Sequence, residues 1–400
     1  MSELAIEFAG LEMKNPLIVA SSELTNTVSK IKEAERWGAS AVSTKLCFLQ
    51  VPFYARPYHI IERGTALYSP SGQRLTVGEA QDLIRAAKKE TSLYIIANMM
   101  GPGDDLSGWA RLGQMLQDAG ADMLELNMSC PNIGIMAQEM GVEAPPEMGA
   151  VLGMNPTLAG IVAKAVADAV EIPVMCKMTP EAQTTPVAAK CVAGGAAAVS
   201  AINCPQSLPG VDIFNGGRPL YPTTETQAFA GLCGPWIRPL AYRHVAQMAM
   251  RIPGIQIAGG GGLTNWRQSV EMIMYGATAL TYCTVLYFLG FEALKKIEDG
   301  LRQYVVDQGY KNILDVRGIA LQYITVPHDV VYVDKVPHID LEKCVGCGFC
   351  IRPGHCEALA KVDGKAALVQ VEECTHCGVC YWLCPHEAIS MVPYETADGQ

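Results

Sequence analysis

Three observations predict an α/β chain folded as a (β/α)8 TIM barrel, followed by a small cysteine-ligated domain. First, short apolar, β-branched runs alternate with helical stretches at Pro16–Ser21, Ala41–Leu46, Tyr94–Met99, Met123–Met128, Pro173–Thr179, Ala198–Cys204, Gln256–Gly260 and Ala279–Thr284. Eight strands alternating with helices are the pattern of a closed parallel barrel. Second, several runs follow a helix-ending Gly-Ala or Ile-Pro turn, as at Gly38-Ala39, Gly120-Ala121, Ile172-Pro173, Gly195-Ala196 and Gly276-Ala277. Third, no glycine fingerprint of the GxGxxG type follows an early strand, which argues against a doubly wound sheet. The expected organisation is a barrel over residues 1–305, a connector over 306–337 and the cysteine-rich domain over 338–400.

Composition narrows the function classes. A net charge of −10 in 400 residues argues against nucleic acid or an anionic membrane as partner. Fifteen cysteines in so long a chain, opening with the polar MSELAIEF and showing no signal peptide, point to the cytosol rather than to a secreted disulfide scaffold. The uncharged stretch Met272–Phe291 is interrupted by Gly276, Thr278, Thr281, Thr284 and Gly290, so it reads as a buried strand feeding a helix, not a membrane span.

Taken in order, the strand ends carry residues unusual for a packed core. Ala20, Ser21 and Ser22 close the first strand, Lys45 the second, Asn98 the third, and Asn127–Cys130 the fourth. Lys177 ends the fifth, Asn203 and Cys204 the sixth, Gly259–Gly262 the seventh, and Cys283 and Thr284 the eighth. Chemistry in this fold collects at the C-terminal mouth of the strands, and the loops after strands seven and eight are its usual phosphate site. The glycine run in IAGGGGLTNW offers backbone N–H groups just before a helix start at Thr264, where the dipole favours an anion. Lys45 and Lys177 are cations suited to an anionic reduced flavin ring, and the asparagines can hold an amide edge. The cofactor expected in this mouth is FMN.

In the tail, Cys344, Cys347 and Cys350 form one CxxCxxC run, and Cys374, Cys377, Cys380 and Cys384 a second that closes before Pro385. This is the spacing of a bacterial-type two-cluster ferredoxin domain, in which the remote cysteine of each run crosses to the other cluster. Zinc also binds CxxC pairs but has no use for the third cysteine of each triplet. The expected ligand sets for two 4Fe-4S clusters are Cys344, Cys347, Cys350 and Cys384, and Cys374, Cys377, Cys380 and Cys356. Cys356 is the irregular member, because the position four after Cys350 is Gly354.

The motifs NPLIVASS, STK, ELNMSCPN, IPVMCKMTP, AIN and AGLCGPWIRPLAYRHVAQMA resemble the FMN barrel of dihydroorotate and dihydropyrimidine dehydrogenases. With CVGCGFC and CTHCGVCYWLCPHEAI the likeness extends over nearly the whole chain, to the iron–sulfur subunits of the dihydropyrimidine branch. The resemblance implies that Cys130 is the acid/base that exchanges a proton with the ring carbon next to the one exchanging hydride with FMN. Gly134, Gly141, Gly149 and Gly153 fit a mobile lid carrying that cysteine. It implies that Asn127, Asn203 and Asn132 contact a cyclic amide substrate, with Cys204 beside them. Ala20, Ser21, Lys45, Asn98, Asn127, Lys177 and Asn203 would hold the flavin. Gly231, Gly259, Gly260, Gly261, Cys283 and Thr284 would stand on its phosphate side.

Departures bear on the substrate. Where dihydropyrimidine dehydrogenases carry an Asn-x-Glu element between strands two and three, this chain has YSPSGQRLT, with Gln73 and Arg74. Asn203-Cys204 replaces the usual Asn-Thr, and Asn132 is closer to the dihydroorotate branch. Arg74 could recognise an anionic group or be a surface charge. The expected function is reduction or oxidation of a ring C=C bond in a pyrimidine-like cyclic amide. The resemblance implies a hetero-oligomer, with electrons relayed through both clusters from a separate FAD and NAD(P)H flavoprotein subunit. The alternatives are a reductase of another conjugated, anionic ring or enone, or a non-catalytic electron-transfer subunit.

Overall fold

The computed structural model describes residues 3–52, 56–132, 147–221 and 224–394. Contacts divide the chain into two compact units, Met1–Ile324 and Thr325–Gln400, so the division falls inside the expected connector.

The first unit is the expected closed barrel. Its strands are β1 (Leu17–Val19), β2 (Ala41–Ser43), β3 (Tyr94–Met99), β4 (Met123–Asn127), β5 (Val174–Lys177), β6 (Ala198–Ala201), β7 (Ile257–Gly260) and β8 (Ala279–Tyr282). Each pairs in parallel with its sequence neighbour, and β8 returns to β1 through Leu280↔Leu17 and Tyr282↔Val19. The strands are short and almost wholly buried, as parallel strands covered on both faces must be. The outer ring is made of α1 (Val28–Arg36), α2 (Val77–Glu90), α3 (Leu106–Asp118), α4 (Pro156–Ala167), α5 (Thr184–Ala193), α6 (Arg238–Arg251), α7 (Trp266–Met274) and α8 (Glu292–Asp307).

Local sequence explains where these helices begin. Thr76 and Glu79 form a reciprocal capping box at α2, and Asn155 caps α4 with Pro156 at its first position. In α2 the apolar residues Ala80, Leu83, Ile84 and Ala87 recur at three- and four-residue spacing and form the buried face. Trp109 of α3 is 1% exposed, and its indole N–H donates to the Pro102 carbonyl, so its one polar atom is satisfied in the core. Each buried Leu, Ile or Val in the ring contributes about 1.5–3 kcal/mol of transfer free energy.

An antiparallel sheet of four strands forms a cap that the sequence pattern does not reveal. Tyr58–Glu62 and Ala66–Ser71 come from the loop after β2, and Gln206–Ser207 and Ala230–Cys233 from the loop after β6. The two loops meet through Gly231↔Ser69 and Leu232↔Tyr68. The connector packs on the barrel as far as Ala320. Arg317 donates to the Gly276 and Ile255 carbonyls, and the Gly318 and Ala320 amides donate to Ile273 and Met274.

In the second unit Lys335–Ile339 pairs antiparallel with Ile389–Pro393, and Leu359–Val362 with Lys365–Leu368. Its buried apolar residues include Val336, Pro337, Ala358, Leu359, Ala366, Ala388 and Ile389. So small a core is marginal for independent stability. Among the described residues no helix is long and apolar enough to cross a membrane.

Candidate active site

One cavity, of about 1440 Å³ including the space open to solvent, lies at the C-terminal mouth of the barrel beneath the cap. Ala20, Ser21, Lys45, Asn127, Lys177 and Asn203 reach its wall from the barrel. Cys130, Asn132, Cys204, Gly231, Gly261, Cys283 and Thr284 line it from the loops, and Gln73 and Arg74 from the segment after the cap strand Ala66–Ser71.

Three expected cofactor residues are absent from the wall. Asn98 is fully buried beneath it. Gly259 and Gly260 belong to β7, and their missing side chains make room within the barrel: a Cβ on Gly259 would stand 2.7 Å from the Ala277 side chain, and one on Gly260 would run into Thr281. The glycines of this run that reach the cavity are Gly261 and Gly262, whose φ values of 117° and 77° are the ones that favour glycine. Beyond them α7 begins at Trp266 rather than at Thr264, with Asn265 as its cap.

A buried carboxylate that sequence reasoning passed over organises the floor. Glu125, 2% exposed, accepts hydrogen bonds from Ser43 at 2.6 Å, from Ser200 at 2.7 Å and from the Asn98 amide. Burial pushes its pKa up, but the charge of Lys177 and the three donors outweigh that, leaving it below the usual carboxylate range. Asn98 in turn accepts from Asn127 at 3.1 Å, and Asn127 accepts from the Ser129 hydroxyl at 3.0 Å. The Asn203 amide donates to both Ser129 oxygens at 3.0 Å. The carboxamides expected to hold substrate therefore also brace the turn that presents Cys130. The signal was present as an acidic residue inside the apolar β4 run, in the ELN of ELNMSCPN.

A second cluster missed in the sequence lines the same cavity. Glu23 pairs with Lys45 at 2.9 Å, lies 3.3 Å from His59 Nε2, and accepts from the Tyr287 hydroxyl at 3.2 Å and the backbone N–H of Gln73 at 3.0 Å. Burial raises the Glu23 pKa, yet His59 and Lys45 more than reverse this and hold it well below the carboxylate range. Gly72 lets the backbone pass here, since a Cβ would stand 2.8 Å from both Glu23 Oε1 and Lys45 Nζ. Arg74 is 9% exposed and not a surface charge; burial lowers its pKa, while Cys130 and Glu23 act in the opposite direction.

Cys204 lines the cavity and is bonded to Cys233, so in this bonded state it carries no thiol proton. Asn132 donates to the Ser69 carbonyl at 3.0 Å, tying the Cys130 turn to the cap. Of the expected lid glycines, Gly134 and Gly141 lie outside the described residues. Gly149 precedes the short helix Ala150–Gly153, and Gly153 is buried where a Cβ would collide with the Met128 carbonyl.

In the second unit Cys344, Cys347, Cys350 and Cys384 line one pocket. Cys356, Cys374, Cys377 and Cys380 line another, with Cys350 at its edge. Among the described residues no three His, Cys, Asp or Glu side chains converge as a single metal ion would require. The two linings divide the eight cysteines as the expected sets do, apart from Cys350, which touches both.

Residues 3–305 match the family model described as dihydroorotate dehydrogenase, and residues 367–390 that of the 4Fe-4S binding domain. The chain belongs to the dihydroorotate dehydrogenase family. It is 28% identical over 364 residues to the NAD-dependent dihydropyrimidine dehydrogenase subunit PreA of Escherichia coli strain K12, covering 87% of this chain and 84% of that one. It is 31% identical over 321 residues to the catalytic subunit of dihydroorotate dehydrogenase B (NAD(+)) of Pyrococcus abyssi, covering 80% of this chain and 99% of the relative. As a dihydroorotate dehydrogenase family member with an iron–sulfur motif, it is a flavin-type oxidoreductase acting on CH–CH bonds.

Proposed function

We propose that this chain uses FMN to reduce or oxidise a ring C=C bond in a pyrimidine-like cyclic amide, with electrons passing through two 4Fe-4S clusters to or from a separate FAD and NAD(P)H subunit. The observation that carries this reading is the sharing of one cavity by Cys130, Lys177, Asn127, Asn203 and the Gly261-Gly262 turn at the barrel mouth. The residues fit the flavin: two cationic side chains, an amide edge and a glycine turn leading into α7. Bound there, FMN would exchange hydride with one ring carbon. Cys130 would hold or deliver the proton at the neighbouring carbon, a task suited to a thiol whose ordinary pKa is about 8.5. Ser129, braced by Asn127 and Asn203, fixes the turn from which that thiol reaches the ring.

For the electron path, the support is the pair of four-cysteine pockets and the likeness to a relative named as a subunit. Among substrates, the burial of Arg74 in the cavity wall, where it feels Cys130 and Glu23, favours a ring with an acidic group or extra acceptor over neutral uracil. A guanidinium only donates, so it cannot read the same edge as the carboxylate of pyrimidine-reducing relatives.

Anaerobic reoxidation of the reduced flavin by uracil, thymine, orotate and related rings tests both parts. The expected result is reoxidation by at least one cyclic amide, fastest with an anionic one, and a preference shifted toward uracil in Arg74→Glu. Efficient uracil reduction with Arg74→Ala silent would dismiss the anionic preference, and indifference to every ring would dismiss the reaction.

A further inference from the structure

The Cys204–Cys233 bond joins two of the elements that build the site, and both of its ends line the cavity. Cys204 follows Asn203 at the end of β6, while Cys233 closes the cap strand Ala230–Cys233. Around it the Leu232 amide donates to the Pro205 carbonyl at 2.8 Å, and the Gln206 side chain to the Pro131 carbonyl at 3.1 Å. A Cβ on Gly231 would stand 3.0 Å from Cys204 Cβ and 3.4 Å from Pro131 Cγ, so cap, half-cystine and the residue after Cys130 are in close contact. Asn203, one residue from the bond, holds Ser129 through two hydrogen bonds. Cys47, Cys176 and Cys191 are buried in the barrel, whereas Cys204 is partly exposed on the cavity wall, where a small thiol can reach it.

We propose that Cys204 and Cys233 are a reversible thiol–disulfide pair whose bonded state locks the cap to the Cys130 turn, and whose reduction by a small dithiol releases that turn. In the reducing direction a thiolate of the dithiol attacks one sulfur of the cystine, and the other leaves as thiolate and takes a proton. The reductant's second thiol then displaces the protein sulfur, so one cystine and one dithiol become two cysteine thiols and one cyclic disulfide. Oxidation by a cyclic disulfide is the reverse. This adds regulation to the proposed active site, and it rests on that reading only in taking Cys130 as the thiol that matters.

The test equilibrates the whole cluster-loaded protein, without oxygen, in mixtures of reduced and oxidised dithiothreitol. Thiols at positions 204 and 233 are counted by alkylation and mass spectrometry, and the native rate of Cys130 alkylation by iodoacetamide is followed. Cys204 and Cys233 should gain label together in one two-electron step, and Cys130 should react about tenfold faster in the reduced protein because access to a thiol governs its rate. Cys204→Ser and Cys233→Ser should each show the faster rate in every mixture. A cystine that the native protein does not let dithiothreitol reduce, thiols that stay unpaired in oxidised dithiothreitol, or a Cys130 rate unchanged by the step would each overturn the proposal. None of these readouts uses turnover, so a failure of the proposed substrate reading leaves this result separate.

Discussion

Removing the Glu125 carboxylate tests whether the floor of the site is held by one buried charge. In Glu125→Ala, the Ser43, Ser200 and Asn98 donors lose their acceptor and Lys177 loses its facing charge. An orphaned buried donor costs about 1–3 kcal/mol, although the serine hydroxyls can rotate toward other acceptors, so the net expectation is roughly 3–5 kcal/mol. For a barrel of this size that corresponds to a fall in melting temperature of roughly 5–10 °C. Glu125→Gln keeps the shape and two polar atoms, and should cost less than about 1.5 kcal/mol because a serine hydroxyl can turn from donor to acceptor. The Gln variant should instead act on the flavin: with its counter-charge gone, Lys177 stabilises the reduced anion more, raising the two-electron potential by about 30 mV for each ~1.4 kcal/mol. Circular dichroism melts and a reductive titration of both variants decide the matter. Equal melting of wild type, Ala and Gln proteins, with no change in flavin potential, would refute the role given to Glu125.

Further outcomes follow from other sites. Cys130→Ala should keep its flavin and clusters but lose turnover by about a hundred- to ten-thousand-fold in steady-state assays, as removal of a general acid does. Iron and acid-labile sulfide analysis should give about eight irons per chain, and Cys356→Ser should remove one cluster's paramagnetic signal while sparing the other. Burial, reinforced by Arg243, depresses the pKa of His244 from 6.5 to about 4, so the unfolded chain binds its proton more readily. Stability from His244 is then complete above the unfolded value and declines as pH falls through 6.5 toward 4. Melts between pH 7 and 5 should show this slope in the wild type and a flatter one in His244→Gln.

The barrel was legible because each of its eight strands is a short, mostly apolar run set between helical stretches, and the period of such runs survives without tertiary context. The iron–sulfur motif was legible for a similar reason, since ligation demands a fixed cysteine spacing. Depth was not. Asn98 points inward as expected yet lies one layer below the cavity, held by Glu125, because a strand pattern specifies a face and not a level. The glycine run was ambiguous in the same way: tight packing inside β7 and backbone approach at its end both demand glycine, and only φ separates Gly261 and Gly262 from their neighbours. The cap escaped notice because two of its strands are only two and four residues long and their partners lie far away in the chain. Cys204 and Cys233, 29 residues apart, carried no mark of their pairing.

The cap has a consequence for how specificity can change in this fold. Its strands come from the loops after β2 and β6, and they pair edge to edge through Gly231↔Ser69, while Asn132 from the loop after β4 donates to the same Ser69 carbonyl. Three excursions of the barrel thus share a single backbone rung. Transplanting one of these loops from a relative would leave its strand facing the wrong register, whereas exchanging the loops after β2 and β6 as a pair would carry the whole roof intact. The roof of this site is therefore a shared structure, and a change in any one of the three loops bears on the backbone of the other two.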